Sequence, residues 1–191
     1  MVDPANAPDS APADPLVLAM PRRELFAING FTLQVGLSVL ESLAEESWFA
    51  LSSSLVGNLD AKEVRLGLVA TREREVLIDG AGSLLHTTPI LPEVGRLGAG
   101  IKAVRDLALI AGSQFLGVPR LRVELTGYCN DDSLPELRNL FLLVYRCRVP
   151  DGCPPPVGMS WVPIADLAKH PLDPASALVG GVLFPPVGVS S

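Results

Sequence analysis

The sequence has little with which to build a metal centre or a disulfide framework. It contains two histidines, His86 and His170, far apart, and three cysteines, Cys129, Cys147 and Cys153. An odd cysteine count without a Cys-x-x-Cys pair matches neither zinc-ligand spacing nor a disulfide staple set. The expectation is three reduced thiols in a cytoplasmic protein. Charge is also scarce. Asp, Glu, Lys and Arg make up 19% of the 191 residues, and the net charge is -6. An acidic chain lacks the basic footprint that attracts phosphate backbones, so nucleic acid is not an expected partner. There is no serine–histidine–acid order, phosphate-cradling glycine loop or dinucleotide fingerprint. Residues 1–15 lack the basic and apolar regions of a signal peptide. No segment has the apolar length of a membrane span, so no membrane association is expected. The nearest, 174–191, is broken by Gly180, Gly181, Pro185 and Pro186.

What the chain does have is apolar content. Hydrophobic residues make up 48% of it, enough for one well-buried domain. Residues 1–19, rich in Pro, Ala and Asp, read as a flexible tail, because they bury too little surface to offset ordering entropy. Residues 20–184 read as a single domain, with 20–62 as an N-terminal strand-helix extension, 63–184 as the core and 185–191 as a C-terminal tail. Within the extension, Leu25–Ile28 reads as a short strand before an Asn29-Gly30 turn. Apolar positions from Leu37 to Leu51 then predict one amphipathic helix over 35–55, with Glu41, Glu45 and Glu46 on its wet side.

The core begins as β structure. Val64, Leu66, Leu68 and Ala70 alternate, Arg72–Glu75 turns the chain, and Val76–Ile78 returns. Residues 99–111 have helical character. Leu121–Tyr128 alternates as a strand. Leu140–Val149 is apolar enough to be a central one. A short helix near 165–169 and a last helix from Pro174 follow. This order predicts an α+β fold with a mixed sheet.

Four stretches carry a family resemblance. Ile90-Leu91-Pro92 looks like the Leu-Pro that leads into the Gly-Gly turn of the Nudix pyrophosphohydrolases. Ala103-Val104-Arg105-Asp106-Leu107-Ala108-Leu109-Ile110-Ala111-Gly112 resembles that family's helix, Ala-x-Arg-Glu-Leu-x-Glu-Glu-x-Gly. Phe141–Tyr145 and Trp161–Leu167 resemble its late strand and Trp-x-x-x-x-x-Leu segment. The resemblance covers about two thirds of the chain and implies an α/β/α sandwich.

The departures bear on activity. In the family, a Glu-Glu pair and an upstream Glu hold magnesium, an ion that demands hard oxygen ligands. The paired slots here are Leu109 and Ile110, and the upstream slot falls near Leu97. Glu93-Val94 stands where the Gly-Gly turn would be. Asp106 is a shorter substitute for Glu, and Arg105 has a largely structural role in the family. The helix is apolar nearly all round, so its old metal face needs a new cover.

The resulting expectation is a catalytically inactive Nudix-like module without a metal cofactor. It would bind a protein partner or a nucleotide-like small molecule around Arg105, Leu109 and Ile110. Two alternatives stay open. One is an atypical magnesium-dependent pyrophosphohydrolase of nucleoside diphosphate derivatives, using Glu93, Asp106 and either Asp131 or Asp132. The other is a self-associating scaffold, a homodimer formed through helices 35–55 and 99–111. Three further groups invite a site reading and have a structural one. Asp131, Asp132 and Glu136 fit an acidic turn. Arg120, Arg122, Arg138, Arg146 and Arg148 fit cross-strand pairs with Glu124 and Glu136. His86 beside Thr87 and Thr88 fits a loop.

Overall fold

One long strand organises the molecule. The computed structural model describes residues 14–33, 37–97, 100–119 and 121–185, with side chains for all of these but 37, 38, 96, 97 and 101. Strand β4 (Ala61–Arg72) runs through the middle of a nine-stranded sheet, counted among the described residues. On one side it pairs in parallel with β8 (Leu140–Arg148), from Glu63 opposite Leu140 to Thr71 opposite Arg148. Beyond β8 lie β7 (Arg122–Asn130) and the short β2 (Gly30–Thr32), each antiparallel to its neighbour. The other side of β4 is shared by three strands in succession. These are β1 (Leu16–Pro21), β6 (His86–Pro89) and β5 (Glu75–Asp79). β1 carries β3 (Trp48–Leu51) on its outer side, and β5 carries β9 (Met159–Pro163).

The parallel pair is apolar on both faces because both faces are covered. Val64, Leu66, Leu68 and Ala70 of β4 join Phe141, Leu143, Tyr145 and Cys147 of β8 in one core. Helix α1 (Leu37–Glu46) adds Leu40 and Leu43, and helix α3 (Gly100–Leu116) adds Ala108. The opposite faces, with Val69, Leu142 and Val144, pack on Ala175 and Val179 of helix α4 (Pro174–Leu183) and on Leu167. Each buried aliphatic side chain is worth roughly 1.5–3 kcal/mol relative to exposure. Leu167 lies on a 3-10 turn, Ile164–Lys169. Asp173 caps α4 by accepting from the Ser176 N–H at 2.8 Å, and Pro174 stands at its first turn. The mixed sheet between helical layers is the α+β architecture expected.

The N-terminal half of the chain differs from expectation. Among the described residues the first strand starts at Leu16, within the segment read as a tail, and Leu16–Met20 pairs with β3 and β4. Residues 1–13 and 186–191 lie outside the described residues. Leu25–Ile28 is not a strand: Arg22–Leu25 forms a 3-10 turn, and the strand is Gly30–Thr32. The predicted helix 35–55 is broken into α1, β3 and the single turn α2 (Ser52–Leu55). Within residues 20–62, β2 and β3 both belong to the central sheet.

A polar network ties this half to the sheet. Lys62 is almost completely buried. Its ammonium donates to Asn130 Oδ1 at 2.6 Å and to the Leu137 carbonyl at 3.2 Å, and pairs with Asp132 at 2.6 Å. Asn130 in turn donates to the carbonyls of Leu25 and Ile28. Arg22 also reaches Asp132, at 2.8 Å. Burial would raise the Asp132 carboxyl, but the hydrogen bonds and charges of Lys62 and Arg22 outweigh it and hold the group below its ordinary value.

Candidate functional site

One face of α3 opens onto a groove of about 550 Å³. Leu107, Ile110, Ala111 and Gln114 of α3 form one wall, at the i, i+3, i+4, i+7 spacing of a single helical face. Thr88 and Pro89 of β6, with Leu91, Glu93 and Val94 of the following segment, form the other. Pro92–Leu97 is a 3-10 turn that packs on α3. The lining is mostly aliphatic, and its polar members are Thr88, Glu93 and Gln114.

The structure separates the predicted site residues. Ile110 lines the groove and is 41% exposed. Leu109 is 37% exposed but is not part of the lining. Successive helical residues point about 100° apart, so the two aliphatic replacements face different ways. Arg105 is exposed and also outside the lining. Asp106 is held by Lys102, one turn away, at 3.3 Å. The side chain of Leu97 lies outside the described residues. Glu93 alone brings a carboxylate to the groove. Among the described residues, no three of His, Cys, Asp or Glu group to hold a metal ion. A magnesium centre with three carboxylate ligands does not fit this set.

Other acidic and basic groups are engaged elsewhere. Asp131 accepts from the N–H and hydroxyl of Ser133, which hold its carboxyl below the ordinary range. Glu41 and Glu45 are exposed on α1, and Glu46 pairs with Arg23 at 2.9 Å. Arg148 pairs with Glu124 at 3.2 Å. Arg146 donates to Thr71 Oγ1 and lies over the Phe184 ring. Arg120 lies outside the described residues. Trp161 donates to the Cys153 carbonyl at 3.0 Å and has Arg72 over its ring, which closes the loop before β9. Gly112 lets α3 approach β8: a Cβ there would stand 3.2 Å from the Cys147 sulfur.

His86 is not on a loop. It sits in β6 with its ring stacked on Phe115 of α3, centroids 3.9 Å apart and planes within 4°. Burial lowers its pKa from 6.5. Below that value the unfolded chain therefore binds more protons than the folded one. The stability the neutral ring supplies is complete above pH 6.5 and declines as the pH falls below it. Thermal melts across this range should show the wild type losing more on acidification than His86→Phe, which keeps the stack and cannot titrate. Equal losses would remove His86 from the account.

The sheet, its helical layers and the position of α3 define a Nudix-like fold. In a comparison with solved structures, the chain is similar to the crystal structure of Tm1382, assigned as a Nudix hydrolase. The TM-score is 0.74 at 15% identity, covering 88% of this chain and 98% of that one. No protein-family model and no curated protein matches the sequence.

Proposed function

We propose that this Nudix-fold chain is a binding module without metal-dependent pyrophosphohydrolase activity. Its groove between α3 and β6 takes the apolar part of a protein partner or of a nucleotide-like ligand. One observation carries the reading: the helical wall is Leu107, Ile110 and Ala111, and Ile110 stands in one of the two paired slots where the resemblance would put a metal-binding glutamate. A mostly apolar concave site with a few polar groups suits ligand capture. A cytoplasmic location belongs to the same reading. Burial pushes the Cys129 and Cys147 thiols up to about 12, and all three cysteines are free. Among the described residues, no helix is long and apolar enough to cross a membrane.

The competing reading, an atypical magnesium-dependent hydrolase, is favoured by Glu93 alone. The two separate in one assay over nucleoside diphosphate derivatives with magnesium or manganese. The expected result is no metal-dependent turnover. Efficient turnover that Glu93→Gln abolishes would decide for the enzyme. Binding is followed with an environment-sensitive apolar fluorophore. Ile110→Asp places a carboxylate in the apolar wall, which disfavours an apolar ligand there, and should weaken dye binding about tenfold or more. Unchanged binding would place the dye, and the proposed site, elsewhere.

A further inference from the structure

The arginines of β7 and β8 do not pair off with acids as expected. The register sets Arg122 opposite Arg148, and Glu124 opposite Arg146 on the same face. Directly opposed side chains have Cβ atoms about 4.5–5.5 Å apart, and like charges at that spacing repel. Glu136, the other acid expected to answer these arginines, lies in the turn before β8, at the far end of that strand. Glu124 is the only acid in either strand, and it pairs with Arg148 at 3.2 Å. Among the described residues, Arg122 makes no ion pair and no side-chain hydrogen bond.

These side chains stand on the sheet face away from α3. Val123 and Cys147, which alternate with them, belong to the core beneath that helix. Arg146 is held in place: its Nε donates to Thr71 Oγ1 at 3.0 Å, and its guanidinium lies over the Phe184 ring, 5.6 Å from the centroid, at the end of α4. Among the described residues its Nη atoms have no partner. Arg122 and Arg148 are exposed beside it. Burial first, and the Arg148 charge second, push the Arg146 pKa below its ordinary value, and the Glu124 charge offsets only part of this. The cluster is short of negative charge.

We infer that Arg122, Arg146 and Arg148 form a binding site for the phosphate monoester of a small soluble molecule. Guanidinium forks meet phosphate oxygens through paired N–H donors, and an anchored fork loses little freedom on binding. Charge selects the ligand. Three cations against Glu124 leave two positive charges uncancelled. A phosphate monoester carries about -1.5 to -2 at neutral pH, which matches them, whereas a carboxylate carries only one charge. The chain as a whole has a net charge of -6, so a long polyanion or an anionic membrane is repelled by the rest of the surface. A small dianion meets only the local field. The site lies across the sheet from the groove and does not depend on what the groove binds.

Amide magnetic resonance of the full chain, titrated with inorganic phosphate at constant ionic strength, tests this. Phosphate should bind saturably in the millimolar range and shift the amides of 122–124 and 146–148. Arg122→Gln and Arg148→Gln should each weaken binding about tenfold, with unchanged far-ultraviolet circular dichroism. Glu124→Gln should tighten it, because the competing carboxylate is gone. Ile110→Asp, in the groove, should leave it unchanged. Acetate should not saturate over the same range, and the chain should not co-sediment with phosphatidylcholine vesicles containing phosphatidic acid. Absence of saturable phosphate binding overturns the inference. So does binding that both arginine variants leave intact, or acetate binding of equal strength. Co-sedimentation with the vesicles that Arg122→Gln abolishes would overturn the choice of a small soluble ligand.

Discussion

Asn130→Ala is expected to destabilise the protein by about 3–5 kcal/mol, although Asn130 touches no candidate site. Its amide serves three groups at once. It accepts from the buried Lys62 ammonium at 2.6 Å and donates to the carbonyls of Leu25, at 3.3 Å, and Ile28, at 2.8 Å. Alanine leaves two carbonyls and part of a buried cation unsatisfied, each costing roughly 1–3 kcal/mol. Asp132→Ala touches the same ammonium but should cost only about 1 kcal/mol. That carboxylate is 63% exposed, so solvent screens the pair and water can replace it. Denaturant unfolding of both variants gives the comparison. Equal losses, or a larger loss at Asp132, would mean that the network is held by the ion pair and not by the amide.

Gly127→Ala should cost about 3 kcal/mol or more. β7 slips register between Leu125 and Gly127, which brings Gly127 against β2. A Cβ there would lie 2.1 Å from the Thr32 carbonyl oxygen and within 3.0 Å of the Phe31 ring. The oxygen is backbone and cannot step aside. β2 would have to leave β7, giving up its ladder and the burial of Phe31, which exceeds the usual 1–3 kcal/mol of overpacking. Gly181→Ala is the matched control. It lies in α4 with nothing within 4 Å of its Cβ position. It should gain up to about 1 kcal/mol from helix propensity. Thermal melts should move in opposite directions for the two variants, and a fall for both would refute the steric account.

Both predictions concern the region where the sequence was hardest to read. The core strands were legible because β4 and β8 are apolar on two faces, and the Glu73-Arg74 turn interrupts that run plainly. Trp48–Leu51 was not. Four apolar residues after an amphipathic helix satisfy either period, and pairing with Leu16–Ala19, 29 to 35 residues earlier, decides for strand. Leu16–Met20 is itself an apolar run, but it follows fifteen residues of tail-like composition. Lys62 and Asn130 carry no local motif, since their partners lie 68 residues apart in the chain.

At the candidate site, the sequence by itself determined the chemistry available. Leu109 and Ile110 cannot ligate a cation, whatever the fold. Only the tertiary structure decided which of them meets the groove. The helical turn sends Ile110 to the cavity wall and Leu109 to another side, while β6 and the Leu91–Val94 segment supply the opposite wall. Trp48–Leu51 likewise became an edge strand only through the sheet. Its place last in the strand order depends on pairings that no window of neighbouring residues contains.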